Sequence, residues 1–343
     1  MKKVSINTGL QSSEILVGEK WNNVLKYLPQ NNVVIISDEN INRIYGNDFP
    51  DIPVILVTPG EVSKSLNVIE SLAKQLLALG IDRSGFILAI GGGVVCDIAG
   101  FLASVYMRGI RFGFVPTSLL SQVDASIGGK NGVNLGLAKN MLGTFRHPEF
   151  VICDPEMLKT LPGDEFLSGL AEIIKMGLIM DKALIKVLEN QSTDILNRDK
   201  DILTSLIARS VELKAEVVRE DEKESGRRMI LNFGHTFGHI IETRAGWKHG
   251  FAVACGMIIA VDISVIQDLL AGDERDRIFN LLRRYNLLRK YEISSDQFEK
   301  LIVQDKKKSG ETLSFVLLQS TGKAVIRKYP VEQLLKIYRS INY

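Results

Sequence analysis

Between residues 33 and 116, short apolar runs alternate with stretches of helical periodicity, and this alternation constrains the fold more than any other feature. NNVVIISDEN is an apolar run closed by polar residues, as expected of a strand buried on both faces. PVILVTPGE is a second strand, broken at Pro59-Gly60. Between Ser65 and Gly80, Leu66, Ile69, Leu72, Ala73, Leu76 and Leu77 recur at helical spacing, and Gly80 stands where a C-cap glycine belongs. FILAIGGG runs a strand into three glycines, a helical stretch continues through Met107, and RFGFVPTS is a further strand with a loop after it. This βαβα order predicts a largely parallel sheet covered by helices.

From about Asp154 the character changes. Helical patterns cover 164–180, 181–190, 199–221, 228–245, 251–270, 273–285 and 295–306. TLSFVLL and KAVIRKY, around Ser320-Thr321-Gly322, read as a hairpin. The expected organisation is an N-terminal α/β domain, residues 1–155, and a mostly α-helical C-terminal domain, residues 156–343.

Composition removes several function classes. A net charge of +2 favours neither nucleic acid nor an anionic membrane as partner. Cys96, Cys153 and Cys255 are scattered singly, which reads as reduced thiols in a cytoplasmic protein. MKKVSINTGL lacks an apolar h-region, so a secretory signal is not expected. The apolar run Phe251–Val261 stops at Asp262, short of the roughly 20 residues a membrane span needs, and is expected to be a buried helix.

The chemistry concentrates in RMILNFGHTFGHIIETRAGWKHG. Of four histidines in the chain, His235, His239 and His249 fall within this stretch. His235 and His239 are four apart and would share one helical face. Such a pair, with a further ligand from elsewhere, suits zinc or a similar divalent ion; two core histidines bonded to backbone are the structural alternative. The glutamate of HExxH is missing, which argues against a zincin-type protease. Glu172 and Lys175, three apart in GLAEIIKMG, form either a buried ion pair or a third metal ligand with a neighbouring cation.

Gly91-Gly92-Gly93 lies between a strand and a helix, where backbone N–H groups and the helix dipole favour phosphate. Cys96 occupies the third glycine position of GxGxxG, so the fingerprint is incomplete. Asp38 and Asn40, at the end of a strand, suit the ribose or adenine of a dinucleotide. The polar segment 117–140, holding Asp124, Lys130, Asn134, Lys139 and Asn140, is expected to be a long functional loop that receives an anionic substrate. Lys214, Arg228 and the run Lys306-Lys307-Lys308 complete the cations.

GGGVVCDIAGF, RGIRFGFVPTSLLSQVDASIGGKNGVN, KNMLGTF, LPGDEFLSGLAEIIK and RMILNFGHTFGHIIE together resemble the 3-dehydroquinate synthases of the sugar-phosphate cyclase superfamily, in register from about Asp38 to Lys308. The resemblance implies a dehydroquinate synthase-like fold with a Rossmann-like sheet. It also implies a cytoplasmic homodimer that uses NAD and Zn2+ (or Co2+) to convert 3-deoxy-D-arabino-heptulosonate 7-phosphate into 3-dehydroquinate and phosphate. By matching positions, Glu172, His235 and His249 would ligate the metal. Lys130, Asn140, Lys175, Lys214, Arg228, Asn232 and His239 would line the substrate pocket beside Asp124. Arg108 would reach the phosphate held by the neighbouring subunit, and Lys306, rather than Lys307, would be the late pocket lysine. NAD contacts would come from Asp38, Asn40, Glu61 and Lys64, from Gly92, Gly93 and Asp97, and from Thr117, Ser118 and Lys139.

The chain departs from the pattern at Cys96, Ser118, Ala125 and Phe251. Phe251 replaces the glutamate that usually follows the His-Gly pair, which removes an expected support of His249. The rival readings are a cyclase acting on sedoheptulose 7-phosphate or glucose 6-phosphate, a metal-dependent NAD-linked alcohol or glycerol dehydrogenase, and a non-catalytic binding protein. Arg228 suits a substrate carboxylate that those two sugar phosphates lack.

Overall fold

The computed structural model describes residues 1–9, 11–136, 138–290 and 312–340. The chain divides into two units: Met1–Pro162 with Arg198–Lys223, and Gly163–Asn197 with Glu224–Tyr343. In place of the single break expected after residue 155, the chain passes between the units three times, after Pro162, Asn197 and Lys223. Arg198–Lys223 returns to the first unit because its side chains bond there. Arg198 donates to the Leu158 carbonyl at 2.6 Å and Arg219 to that of Ser5 at 2.9 Å.

The first unit is built on a seven-stranded sheet in the order β1-β2-β9-β6-β5-β3-β4. Its strands are β1 (Lys2–Thr8), β2 (Gln11–Val17), β3 (Val33–Asp38), β4 (Val54–Val57), β5 (Phe86–Gly91), β6 (Arg111–Pro116) and β9 (Phe150–Cys153). Only β1 and β2 pair antiparallel; the other neighbours are parallel. β5 is buried at every residue, as a central parallel strand covered on both faces must be. Ile35, Leu88 and Ile152 form the core between the sheet and its covering turns, where the rings of Phe86 and Phe150 stack at 5.8 Å. Helices α1 (Glu39–Tyr45), α2 (Leu66–Ala78) and α3 (Gly93–Val105) follow β3, β4 and β5. α2 ends as its sequence predicts: Gly80 has φ +73°, and the N–H groups of Gly80 and Ile81 bond back to Leu77 and Leu76.

Segment 117–140 is not one long loop. A five-residue π-turn, Ser121–Ala125, leads to strands β7 (Lys130–Leu135) and β8 (Ala138–Phe145), which pair antiparallel as a separate two-stranded sheet. The polar composition hides these strands because Val133 is the one large apolar residue they bury, and the ladder pairs glycine with glycine at Gly132 and Gly143.

The second unit contains helices α4 (Gly163–Met180), α5 (Lys182–Asn190) and α6 (Ser192–Leu196). After α7 (Lys200–Glu220), which belongs to the first unit, come α8 (His235–Ala245), α9 (His249–Ile266) and α10 (Gly272–Arg284). The expected hairpin is present as β10 (Thr312–Ser320) and β11 (Lys323–Pro330), followed by a helix over Val331–Ser340. The helix expected over 295–306 lies outside the described residues. α9 is long and apolar enough to cross a membrane by length and composition, but 78% of it is buried inside the protein.

The helix expected over 228–245 is interrupted. Arg227–Asn232 forms a tighter 3-10 turn, and Gly234, at φ +79°, adopts a left-handed conformation just before α8. A side chain at Gly234 would be strained by that φ and would meet Met257 within 2.6 Å. On the opposite helix, a Cβ at Gly256 would lie 2.0 Å from the Gly234 carbonyl oxygen and 2.7 Å from the Gly238 nitrogen. Both obstacles are backbone, so α8 and α9 would have to separate. Gly256→Ala is therefore expected to destabilise the protein by about 2–3 kcal/mol through overpacking, measured by chemical denaturation. Unchanged stability would mean that the helix contact yields easily.

Candidate functional site

In the second unit, three helices converge on one carboxylate. α4 carries Glu172 and Lys175, 1% and 2% exposed, within an otherwise apolar run. Three residues apart on a helix, the two side chains project from one face, and they form an ion pair. α8 opens with His235 and α9 opens with His249. His249 Nε2 lies 3.3 Å from Glu172 Oε1 and His235 Nε2 lies 3.8 Å from the same oxygen. Glu172, His235 and His249 each offer a ligand atom, and these atoms all lie within 4.8 Å of one another.

Both oxygens of Glu172 are buried and lack a well-aligned hydrogen-bond donor; Lys175, His235 and His249 stand within ion-pair reach, and His249 Nε2 at 3.3 Å makes the nearest imidazole contact. A carboxylate so placed is costly unless a charge compensates it. A divalent cation held by two imidazoles and this carboxylate would do so, and the donor set is one that zinc accepts. The residues present therefore fit a metal.

The electrostatics agree with that fit. Burial would raise the Glu172 pKa, but the Lys175 ammonium, followed by His249 and His235, holds it well below the usual carboxylate range. Burial and then Lys175 push His235 down to about 3, so it is neutral, the form that ligates metal. At His249 burial acts downward, but hydrogen bonding to Glu172 and Glu242 outweighs it and raises the pKa to about 9.

The pair singled out by i,i+4 spacing is not the pair that meets at Glu172. His239 is exposed, with its ring edge-on to that of His235 at 5.3 Å. It falls instead into a second group with Glu242 and His249, whose ligand atoms also lie within 4.8 Å. His249 reaches Glu172 because α9 begins on it, which no spacing within 228–245 reveals. Arg228 is buried, and Asn232 donates to Glu224 Oε1 at 2.6 Å. Glu242 and Glu224 both escaped the sequence reading. Glu242 had a signal, since His235, His239 and Glu242 follow i, i+4, i+7 spacing. Glu224, at φ +59° outside any periodic stretch, had none.

The first unit gathers most of the proposed nucleotide contacts at the carboxyl ends of its parallel strands, where open α/β sheets bind ligands. Asp38 closes β3 and caps α1, accepting from the Ile41 N–H at 3.0 Å, with Asn40 exposed in the first turn. Gly92 precedes α3, and a Cβ there would find only Ser118 Oγ, at 3.9 Å. This open backbone is what a pyrophosphate requires. A Cβ at Gly93 would sit 3.1 Å from Ala125, so that glycine serves packing as well. Thr117 follows β6 and its N–H bonds to the Gly91 carbonyl. Buried Lys64 donates to Asp97 Oδ2 at 2.6 Å and to Asn140 Oδ1 at 2.5 Å, while Asn134 donates to Glu61 at 2.9 Å. Burial pushes Asp97 up to about 6, against the pull of Lys64.

Lys214, also buried, donates to both the carbonyl and the carboxylate of Asp124 at 2.6 Å. Lys130, Lys139 and Arg108 are exposed. Lys306 lies outside the described residues. Cys96 points back under the strand towards the Gly91 carbonyl at 3.9 Å, and burial raises its thiol pKa well above the ordinary value.

A parallel nucleotide-type sheet together with a helical unit carrying a His2Glu group defines a class, and solved structures of that class are similar along the whole chain. A 2-deoxy-scyllo-inosose synthase, solved with carbaglucose-6-phosphate, NAD+ and Co2+, matches with a TM-score of 0.86 and 26% identity, covering 99% of this chain and 100% of that one. A 2-epi-5-epi-valiolone synthase from Streptomyces hygroscopicus, solved with NAD+ and Zn2+, matches with a TM-score of 0.86 and 25% identity over 99% of both. In sequence, residues 54–168 match the model of the 3-dehydroquinate synthase N-terminal region and residues 169–308 that of the C-terminal region. The 3-dehydroquinate synthase of Thermodesulfovibrio yellowstonii is 41% identical, covering 95% of this chain and 96% of that protein. The chain belongs to the 3-dehydroquinate synthase family.

A metal-free His249 with its pKa near 9 holds a proton at neutral pH, which stabilises the fold until the pH rises through that value. A metal must displace this proton. Loading with Zn2+ near pH 7.5 is expected to release about one proton per chain, with affinity falling as the pH drops. Calorimetry in buffers of different ionisation enthalpy measures this, and absence of proton release would show that His249 is already neutral in the metal-free protein.

Proposed function

We propose that this chain is a 3-dehydroquinate synthase, an NAD- and metal-dependent lyase that eliminates phosphate from 3-deoxy-D-arabino-heptulosonate 7-phosphate and closes the carbocycle of 3-dehydroquinate. The observation that carries the reading is 41% identity to a 3-dehydroquinate synthase across nearly the full length of both chains. The Glu172–Lys175–His235–His249 cluster supports it independently of the comparison. The solved 2-deoxy-scyllo-inosose and 2-epi-5-epi-valiolone synthases are less similar in sequence, and Arg228 adds a buried cation suited to a substrate carboxylate.

Glu172, His235 and His249 hold the metal. Bound NAD+ would supply a reversible hydride acceptor, and the metal would supply Lewis acidity towards the hydroxyl to be oxidised. In the second unit, Lys175, Arg228, Asn232 and His239 orient the substrate, with the exposed His239 as the proton carrier. In the first unit, Lys130, Asn140 and Lys214, the last fixed by Asp124, supply cations and donors for the anionic substrate. Asp38, Asn40, Glu61, Lys64, Gly92, Gly93, Asp97, Thr117, Ser118 and Lys139 contact NAD. Arg108 reaches the phosphate in a homodimer, and Lys306 completes the pocket. Holding the substrate in one conformation is a large part of the work, because the later ring-opening and closing steps need little acid–base help. The enzyme works in the cytoplasm, without nucleic acid or membrane as partner.

The test is phosphate release from the heptulosonate phosphate with catalytic NAD+ and Zn2+, followed together with absorbance at 340 nm. Stoichiometric phosphate without lasting NADH, and loss of activity with a chelator, are expected. Phosphate released only from sedoheptulose or glucose phosphate would assign a sister cyclase, and steady NADH from a simple alcohol would assign a dehydrogenase. In the same assay, Lys175→Met and His235→Ala are each expected to lower kcat by at least about 100-fold. A near-wild-type rate in either variant would remove that residue from the mechanism.

A further inference from the structure

Of the two proposed histidine ligands, His249 is the one whose distal nitrogen meets another side chain. Its two ring nitrogens face opposite carboxylates: Nε2 lies 3.3 Å from Glu172 Oε1, and Nδ1 lies 3.1 Å from Glu242 Oε2. His235 shows the same division, with Nε2 towards Glu172 at 3.8 Å and Nδ1 towards the Phe233 carbonyl at 3.2 Å. In both rings the acceptor at Nδ1 selects the tautomer that leaves the Nε2 lone pair for the shared point beside Glu172. For His235 that acceptor is backbone, which substitution cannot remove. For His249 it is a carboxylate two turns along the neighbouring helix.

The residue two places after His249 cannot do this work. Phe251 is apolar and 1% exposed, and the Arg289 guanidinium lies 3.9 Å from its ring centre. We infer that Glu242 is the positioning residue of the metal centre, accepting the Nδ1 proton of His249 and so holding its Nε2 towards Glu172. The inference rests on the assignment of Glu172, His235 and His249 as metal ligands. A histidine ligand whose distal N–H is fixed by a carboxylate is both better aimed and more basic, and loss of such a partner weakens metal affinity by about 10–100-fold.

The same geometry allows a different role. His239, Glu242 and His249 offer ligand atoms within 4.8 Å of one another, and Glu242 would then be a ligand itself, with His249 bridging two ions. Metal stoichiometry separates the two.

The experiment uses full-length protein stripped with a chelator. It reads Zn2+ affinity by competition with a chromophoric chelator, and coordination by the visible absorption of the Co2+-loaded form. Glu242→Ala is expected to weaken Zn2+ binding about 10–100-fold and to change the Co2+ bands. Glu242→Gln, whose amide oxygen still accepts the Nδ1 proton, is expected to restore affinity to within about threefold of wild type. The metal-free Glu242→Ala protein should keep the far-ultraviolet circular dichroism of metal-free wild type while melting somewhat lower through loss of the His249–Glu242 pair, which separates aiming from a general structural loss. Wild-type affinity and spectrum in Glu242→Ala would overturn the inference. So would two ions per chain in the wild type and one in Glu242→Ala. His235→Ala is the control: if it also bound Zn2+ as tightly as wild type, the ligand assignment itself would fall.

Discussion

A carboxylate buried in the middle of an apolar helix is the constraint around which the second unit is arranged. Isolated, the Glu172 charge would cost several kcal/mol of desolvation. α4 meets part of that cost within itself, by placing Lys175 one turn away. The rest comes from elsewhere in the chain, as His235 and His249 bring their Nε2 atoms to the same oxygen from the first residues of two other helices. The result is a compact set of charges and lone pairs whose members make sense together. Removing any one leaves the others buried without their compensation, and adding a divalent cation satisfies the oxygens that the protein leaves without a hydrogen bond.

Bringing side chains of three helices to one point requires backbones that nearly touch, and glycine permits the approach. Gly234 turns the chain into α8 in a left-handed conformation, and Gly256 of α9 packs directly against its carbonyl. Gly238 lies against the backbone of Val253, while Gly250 sits on Ser168 of α4, so close that a Cβ would fall 2.2 Å from its carbonyl oxygen. These contacts aim the site as much as they stabilise the fold. An ångström of separation between α8 and α9 would move His235 and His249 apart, and their common access to Glu172 would be lost.

The first unit solves a different problem. Its parallel strands all deliver their ends to one edge, so residues far apart in sequence arrive there by topology alone: Asp38 after β3, Lys64 after β4, Gly92 after β5 and Thr117 after β6. What remains is to fix long polar side chains in one conformation. Lys64 is held between Asp97 and Asn140, and Lys214 is held at Asp124. Such fully bonded cations lose little further freedom when a ligand binds, which is the physical content of preorganisation.

The sequence by itself determined the alternation of strand and helix, the parallel sheet and the late hairpin. Those follow from local periodicity and residue type, and periodicity survives in any context. The family motifs also brought Glu172, His235 and His249 into one set, although residue spacing alone pointed to His235 with His239. Only the tertiary structure decided that His249 joins His235 while His239 turns towards Glu242, because helix starts and interhelical glycine contacts, not spacing within one stretch, set that pairing. It likewise showed that a paired hairpin begins within 117–140, whose strands lack the alternating apolar pattern by which a strand is read. The return of Arg198–Lys223 to the first unit was equally illegible, since the periodicity of α7 says which face is buried but not against what. Burial pattern is written along the chain, whereas the choice of partner is made between segments, by shape and by charges that need one another.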